Sequence, residues 1–422
     1  MYSVFRDTGH LNTYSEHSSA SVSVVSQSRS GCPGCGGRYS QEILLLPRTP
    51  VNCSALWPNS LAARQCAKRP IELRSCSGCG LTFNAQFDAC VLEYDTKYDN
   101  SLDFSPAFQA YAEGLAAELV SAYDLRKKRI VEIGCGNGIF LKLLCKRGQS
   151  AGIGFDPSFP GDEDPVPGVE LVRGYFGRAE ADCGFDFLCC RHVLEHLEKP
   201  LEFLLELSEI SVGSSGVTMY FEVPNAEFVL GGEGLWDIIY PHVSYFTETS
   251  LTNLFEHAGF NVLRAGKRFS DQFVFVEVRA PCGAALPNQR RRQTLSRGFQ
   301  FSISDCRSHF ARTVERWSAC MAQLAAETGR PVAFWGAGAK GVSFLNLVPG
   351  AEKIPAVVDS NPRKQGMFVP GTGQQIASPG ALGRLQPGAV ILLNPMCRNE
   401  IGASLEEQGI SARLVTQPEI PA

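Results

Sequence analysis

Twice in this chain of 422 residues an apolar run meets three closely spaced glycines and then a segment of helical spacing. The first instance is Val131-Glu-Ile-Gly-Cys-Gly-Asn-Gly138 and the second is Trp335-Gly-Ala-Gly-Ala-Lys-Gly341. An acidic residue closes the next apolar run each time: Asp156, 22 residues after Gly134, and Asp359, 18 residues after Gly341. Glycine lets a backbone turn sharply and approach a ligand closely. Strand, glycine turn, helix, strand and acid in that order predict a doubly wound parallel sheet. Around the first unit, residues 129–133, 151–155, 169–172, 185–190 and 217–223 read as strands, with helices over 108–123, 138–147 and 200–210. Around the second, a long helix over 301–328 precedes strands at 332–335, 356–359 and 389–393. The expected fold class is therefore α/β with two such units, and the length suits roughly three domains at ~150 residues each.

Composition narrows the functional classes. A formal net charge of −4 argues against a nucleic-acid binder with a basic face. No apolar run reaches the ~18 residues of a membrane span, and the N-terminus lacks an apolar signal core. The 16 cysteines are scattered along a long chain, unlike a secreted disulfide scaffold, so a reducing, cytoplasmic location is expected. Residues 1–30 hold nine serines and read as a disordered tail. Residues 31–105 are rich in cysteine, proline and aromatics, with short strand-like pieces such as 42–46, and need an external staple to fold. Cys32-x-x-Cys35 and Cys76-x-x-Cys79 supply one: two knuckles with four thiolates for structural zinc, although 40 residues separate them and free thiols are the alternative.

Glu132 stands two residues before the first glycine, where a carboxylate attracts a cationic ligand and repels a pyrophosphate. S-adenosylmethionine (SAM) carries an ammonium and a sulfonium. Residues 131–138 resemble motif I of the class I SAM-dependent methyltransferases, and Gly154-Phe-Asp156 resembles their ribose-binding acidic motif. The resemblance implies that Glu132, Gly134, Gly136, Asn137 and Gly138 seat the methionine end and that Asp156 takes the ribose hydroxyls. A glycine turn beside a buried carboxylate is the plain structural alternative.

Arg191-His-Val-Leu-Glu-His196 follows a strand, at the end where open α/β sheets bind ligands. His192 and His196 are four apart, with no third metal ligand nearby, so Arg191 and His192 are expected in the wall of the cofactor site. Trp236-Asp-Ile-Ile-Tyr-Pro-His242-Val-Ser-Tyr245-Phe246 reads as a loop over that site. A histidine there suits general-base work, and a packed histidine is the alternative. The segment resembles the His-x-x-Tyr-Phe stretch of the sugar C-methyltransferases, which methylate a carbon of nucleotide-linked deoxysugars. That resemblance makes His242 the base, His196 the second histidine and Tyr240 a hydrogen-bond donor to the substrate. Where the family often has Glu before the histidine, this chain has Pro241.

In the second glycine unit, Lys340 and the helix N-terminus favour an anion. A dinucleotide site and a purely structural turn remain alternatives. Residues 335–341 and 357–371 resemble the Rossmann-like C-terminal domain of the same C-methyltransferases, which helps hold substrate. The family also carries an N-terminal zinc-binding domain. The resemblance covers nearly the whole chain after residue 30. It implies a zinc-binding domain over 31–105, a methyltransferase domain over 106–280 and a substrate-binding domain over 281–422. The implied substrate is a small molecule, with Tyr98 (or Tyr94), Tyr245, Lys340 and Asp359 as substrate contacts. No nucleic acid or membrane partner is expected, and the oligomeric state is open. Methylation of oxygen or nitrogen, a non-catalytic nucleotide-binding protein and an NAD oxidoreductase are the competing functions.

Overall fold

The computed structural model describes residues 31–92, 104–159, 161, 164–181, 184–211, 216–232, 234–280 and 303–418. The serine-rich segment 1–30, Tyr94, Tyr98 and the linker at 281–290 lie outside these residues.

The first sheet is antiparallel and begins with β1 (Ser40–Pro50), β2 (Lys68–Cys76) and β3 (Thr82–Asn84). Pairing of β1 with β2 sets Ser40 opposite Cys76. This register explains the long gap between the two cysteine pairs: the hairpin runs out and back, returning the chain to its starting knuckle.

The central sheet holds β4 (Arg129–Ile133), β5 (Ala151–Phe155), β6 (Val169–Val172), β7 (Phe187–Arg191) and β8 (Thr218–Pro224), all parallel. After β8 the chain forms β9 (Ser244–Tyr245), which joins the edge of the first sheet at β3. It then returns as a hairpin, β10 (Asn261–Arg268) and β11 (Phe273–Arg279), with β11 antiparallel to β8. The order is β10-β11-β8-β7-β4-β5-β6. Strand order reverses at β4, so the crevice between the carboxyl ends of β4 and β7 is the expected ligand position. Sequence periodicity anticipated β4 to β8 within two residues at each end. It did not anticipate β9 or the β10–β11 hairpin, whose pairing depends on distant strands.

The third sheet is wholly parallel: β12 (Val332–Trp335), β13 (Ala356–Val358), β14 (Ile376–Ala377), β15 (Ala389–Leu392) and β16 (Arg413–Val415), in the order β14-β13-β12-β15-β16. Its crevice lies between β12 and β15. The long helix Ile303–Thr328 leads into it.

The three sheets share their packing. The buried cysteines Cys32, Cys76 and Cys79 belong to the same apolar cluster as Phe221, Phe246 and Val276. The short helix Ser60–Arg64 grips the third unit: Gly371 N–H donates to the Ala63 carbonyl at 2.8 Å and Ser60 Oγ to the Gly373 carbonyl at 2.7 Å.

Beneath the central crevice lies a buried charge pair. Arg191 Nε donates to Glu222 Oε1 at 3.0 Å, and the guanidinium stacks 4.2 Å from the centroid of Phe140. Tyr111 and Tyr220 also donate to Glu222. Burial pushes the Glu222 carboxyl up, but Arg191, His192 and the tyrosine outweigh it and hold the group well below the usual carboxylate range. A depressed carboxyl contributes stability above its unfolded value of about 4.3 and loses it as the pH falls. Glu222→Gln strands the Arg191 charge. Urea unfolding at pH 7 should show a loss of about 3 kcal/mol, shrinking as the pH is lowered through 4.

Candidate active site

The first glycine turn follows β4 and opens the helix Ile139–Gly148. Gly134, Gly136 and Gly138 all adopt left-handed φ (72°, 53° and 72°). A Cβ on Gly134 would sit 2.1 Å from Val193 Cγ2 and one on Gly138 would sit 2.5 Å from Leu171 Cδ1, whereas Gly136 faces open space. Two of the glycines therefore serve packing and the middle one opens the turn to a ligand. Glu132, only 3% exposed, accepts the Leu141 N–H on Oε2 at 3.0 Å. Its carboxylate meets the positive end of the helix from below, the place where a pyrophosphate would otherwise bind. Asp156 accepts Gly136 N–H on Oδ2 at 2.9 Å, and Ser158 N–H and Oγ–H on Oδ1 at 2.8 and 2.6 Å. A carboxylate has about four acceptor sites, so acceptor capacity remains for ribose hydroxyls.

Glu132, Gly136, Asn137 and Asp156 line a cleft of about 470 Å³. The open backbone at Gly136, the buried carboxylate and the acid on the next strand fit a cationic nucleoside such as SAM.

At the end of β7, Arg191 reaches the cleft wall but is engaged by Glu222, as described above. His192 follows with φ of 56°, a left-handed conformation uncommon for histidine. Its ring lies 3.7 Å from Glu195 and 3.4 Å from Glu222. Burial opposes its charge, but the two carboxylates prevail and raise it above the usual histidine range. His196 ends a 3₁₀ turn, Leu194–His196, and its Nδ1 is 3.0 Å from the Pro241 carbonyl. Its ring lies 5.0 Å from that of His242. Burial lowers both His196 and His242 to about 4, so both are neutral imidazoles at pH 7.

His242 lines the cleft together with Glu195 and Asp237. The loop that carries it is fixed at both sides: Val243 N–H donates to the Glu195 carbonyl at 2.7 Å, and Asn84 N–H donates to the Val243 carbonyl at 2.8 Å. β9 begins at the next residue, paired with β3. The backbone and carboxylate of Asp237 both favour the protonated ring, against the stronger effect of burial. Sequence reasoning assigned no role to Asp237 or Glu195. Asp237 is an acid in an otherwise apolar and aromatic stretch and Glu195 stands between His192 and His196, which were the available signals.

Tyr240 requires a correction. It is fully buried, its hydroxyl accepts Asp88 N–H at 2.9 Å, and its ring stacks on Phe87. It faces the first sheet and cannot donate to a substrate in the cleft. Tyr245 is buried behind His242, at 5.9 Å between centroids, with its hydroxyl donated to the Ile239 carbonyl at 3.3 Å. It supports the loop instead of lining the cleft.

The second glycine turn faces the first across the same cleft. Its helix, Ala339–Leu347, starts at Gly338 with no side-chain cap. Where Glu132 stands in the first unit, the second has the apolar, buried Phe334. Gly336 has φ of 107° and open space around it, and the Lys364 Nζ, on a residue 6% exposed, lies 3.7 Å from where a Gly338 Cβ would be. Asp359 accepts Ala337 N–H at 2.7 Å and Asn361 N–H at 2.8 Å. Lys340 lines the cleft, but its Nζ is paired with Asp237 at 2.9 Å and donates to Gln272 Oε1 at 3.2 Å.

The four knuckle cysteines converge. Cys32 and Cys79 Sγ are 3.5 Å apart, Cys35 and Cys76 Sγ 3.6 Å apart, and all four lie within 4.8 Å of one another. Tetrahedral zinc with Zn–S of ~2.3 Å sets sulfurs about 3.8 Å apart, so the donor set fits. The Cys32 and Cys76 carbonyls accept Gly36 and Gly80 N–H at 2.8 and 2.9 Å, and both glycines are left-handed, at 70° and 76°. All four positions are cysteines, which leaves no place for a catalytic water.

Residues 107–265 match the methyltransferase domain family, and residues 295–415 match the C-methyltransferase C-terminal domain family. Over 92 residues the chain is 34% identical to the mitochondrial ubiquinone biosynthesis O-methyltransferase of Schizosaccharomyces pombe. That stretch is 19% of this chain and 33% of the relative, so the match spans about a third of the curated protein. Similar solved structures include a SAM-dependent methyltransferase from Mesorhizobium loti (15% identity, 40% of this chain and 99% of that one, TM-score 0.31). Another is magnesium protoporphyrin IX methyltransferase from Synechocystis PCC 6803 with bound SAH (16% identity, 42% and 84%, TM-score 0.33). Among the described residues no helix is long and apolar enough to cross a membrane.

The purified protein should contain one zinc per chain by atomic absorption. Cys76→Ser should lose most of it and lower the melting temperature by several degrees, as ~1–3 kcal/mol of destabilisation does in a large domain.

Proposed function

We propose that this chain, which joins a methyltransferase domain to a C-methyltransferase C-terminal domain, is a class I SAM-dependent methyltransferase of the sugar C-methyltransferase type that methylates a carbon of a nucleotide-linked keto-deoxysugar with His242 as general base. The observation that carries the reading is one cleft holding Glu132, Gly136 and Asp156 on one wall and the neutral imidazole of His242 on another.

When bound, SAM supplies an electrophilic methyl group. His242 removes a proton from the carbon alpha to the ketone: the C–H bond breaks, an N–H bond forms on the ring, and the electron pair passes into an enolate. With SAM held by Glu132, Gly136 and Asp156, the enolate carbon would bond to its methyl as the methyl–sulfur bond breaks and S-adenosylhomocysteine leaves, and His242 would give its proton to water. His196, 5.0 Å away and neutral, adds no positive charge of its own beside the base. The second glycine turn, with Lys340, Lys364 and an uncapped helix start, holds the anionic part of the substrate. Asp359 keeps that turn closed through Ala337 N–H.

The division of labour follows the sequence boundaries: zinc staple at 31–105, methyl transfer at 106–280, substrate grip at 281–422. Fully buried, unpaired thiols such as Cys189 support a reducing, cytoplasmic setting.

Transfer to oxygen is the second reading, favoured by the local identity to the O-methyltransferase. Incubation of metabolite pools with deuteromethyl SAM, followed by mass spectrometry and NMR of the product, separates the two: a carbon-bound label supports the first and an oxygen-bound label the second. His242→Gln should bind SAH by calorimetry within about twofold of the native protein while methyl transfer falls ~10²–10⁴-fold. Normal turnover in that variant removes His242 from the chemistry.

A further inference from the structure

A neutral His242 is available as a base, but the burial that keeps it neutral also makes it a weak one. A catalytic base works best when it takes up protons near the operating pH. The groups that face His242 are Asp237, Glu195, His192, His196, Lys340 and Tyr245. Asp237, five residues earlier in the same loop, favours a protonated imidazole through both its backbone and its carboxylate. That carboxylate is partly neutralised by Lys340, 2.9 Å away, whose own charge disfavours protonation of His242.

Lys340 belongs to the second glycine unit. The helix it begins is fastened to the His242 loop at two further points. Trp236 packs edge-on against Phe344 at 4.8 Å, and Ser343 Oγ donates to the Ile238 carbonyl at 3.4 Å. An anion seated on the uncapped turn would lie beside Lys364 and within reach of Lys340. The same lysine therefore has two competing partners, Asp237 in the structure and the anion in the complex.

We propose that Lys340 is a positioning residue that couples the two halves of the cleft: an anion on the second glycine turn draws Lys340 away from Asp237, and the released carboxylate strengthens His242 as a base. Proton abstraction is then favoured only when the anionic part of the substrate is in place. This rests on the assignment of His242 as the base and deepens it.

The experiment is NMR of the full-length, zinc-loaded protein with SAH, using ring-labelled histidine and inorganic pyrophosphate as the anion. The His242 signal is identified by its loss in His242→Gln. Pyrophosphate should raise the His242 titration midpoint by about one unit, the usual effect of an opposite charge nearby. Lys340→Gln should titrate at the raised value without pyrophosphate and respond no further, while Lys340→Arg, which keeps the charge, should behave as the native protein. Asp237→Asn should still bind pyrophosphate by calorimetry, and its His242 should not respond. Coupling is overturned if pyrophosphate fails to bind, if it leaves the native His242 unmoved, or if the same shift persists in Asp237→Asn, which would mark a direct field of the anion. The readout is a titration and not turnover, so failure of the coupling is distinguishable from failure of the base assignment.

Discussion

The hydrogen bond from Leu141 N–H to the Glu132 carboxylate sets the polarity of the cleft. A helix N-terminus ordinarily draws an anion. Here a buried side chain of the protein fills that role, and the turn above it is left to favour positive charge. Across the cleft, the second turn also joins a strand to a helix, with Phe334 in place of the acid and with Lys340 and Lys364 close by. Two strand–glycine–helix turns thus face each other with opposite preferences. A sulfonium donor and an anionic acceptor can be sorted to opposite walls without any large surface charge.

His242, the proposed base, sits where these walls meet, and neither α/β unit positions it alone. The His242 segment is held by the Ile239 carbonyl in its own loop, by the Glu195 carbonyl through Val243, and by Asn84 of the first sheet. The cysteine cluster stabilises the turn between β2 and β3, and β3 pairs with β9 two residues beyond His242. The cysteine knuckles lie outside the cleft but inside the framework that positions the imidazole.

Local features were readable from residues alone. The strands β4 to β8, β12 and β15 announce themselves as apolar runs, and both glycine turns and their acids follow from spacing. Three kinds of information were not readable. The β10–β11 hairpin alternates weakly on its exposed strand and acquires its identity by pairing with β8. Tyr240 stands two positions before His242, but a tight turn closed by His242 N–H on the Ile239 carbonyl lies between them, and the Tyr240 hydroxyl is used by Asp88. Lys340 was legible as a cation near a helix start. Its partner Asp237 lies 103 positions earlier in the sequence, and only the folded chain brings them together.

The two-residue strand β9 has a bearing on how such a chain can be rearranged. Its residues lie in the middle segment, yet they complete a sheet whose other three members come from the beginning of the chain. Excising the methyltransferase segment at residue 105 would leave β9 without the neighbour it was built to meet, and the adjoining imidazole without its anchor. Recombination between relatives would have to move the knuckles and the middle segment as one block, so the modularity suggested by the segment boundaries does not extend to the physical unit that does the work.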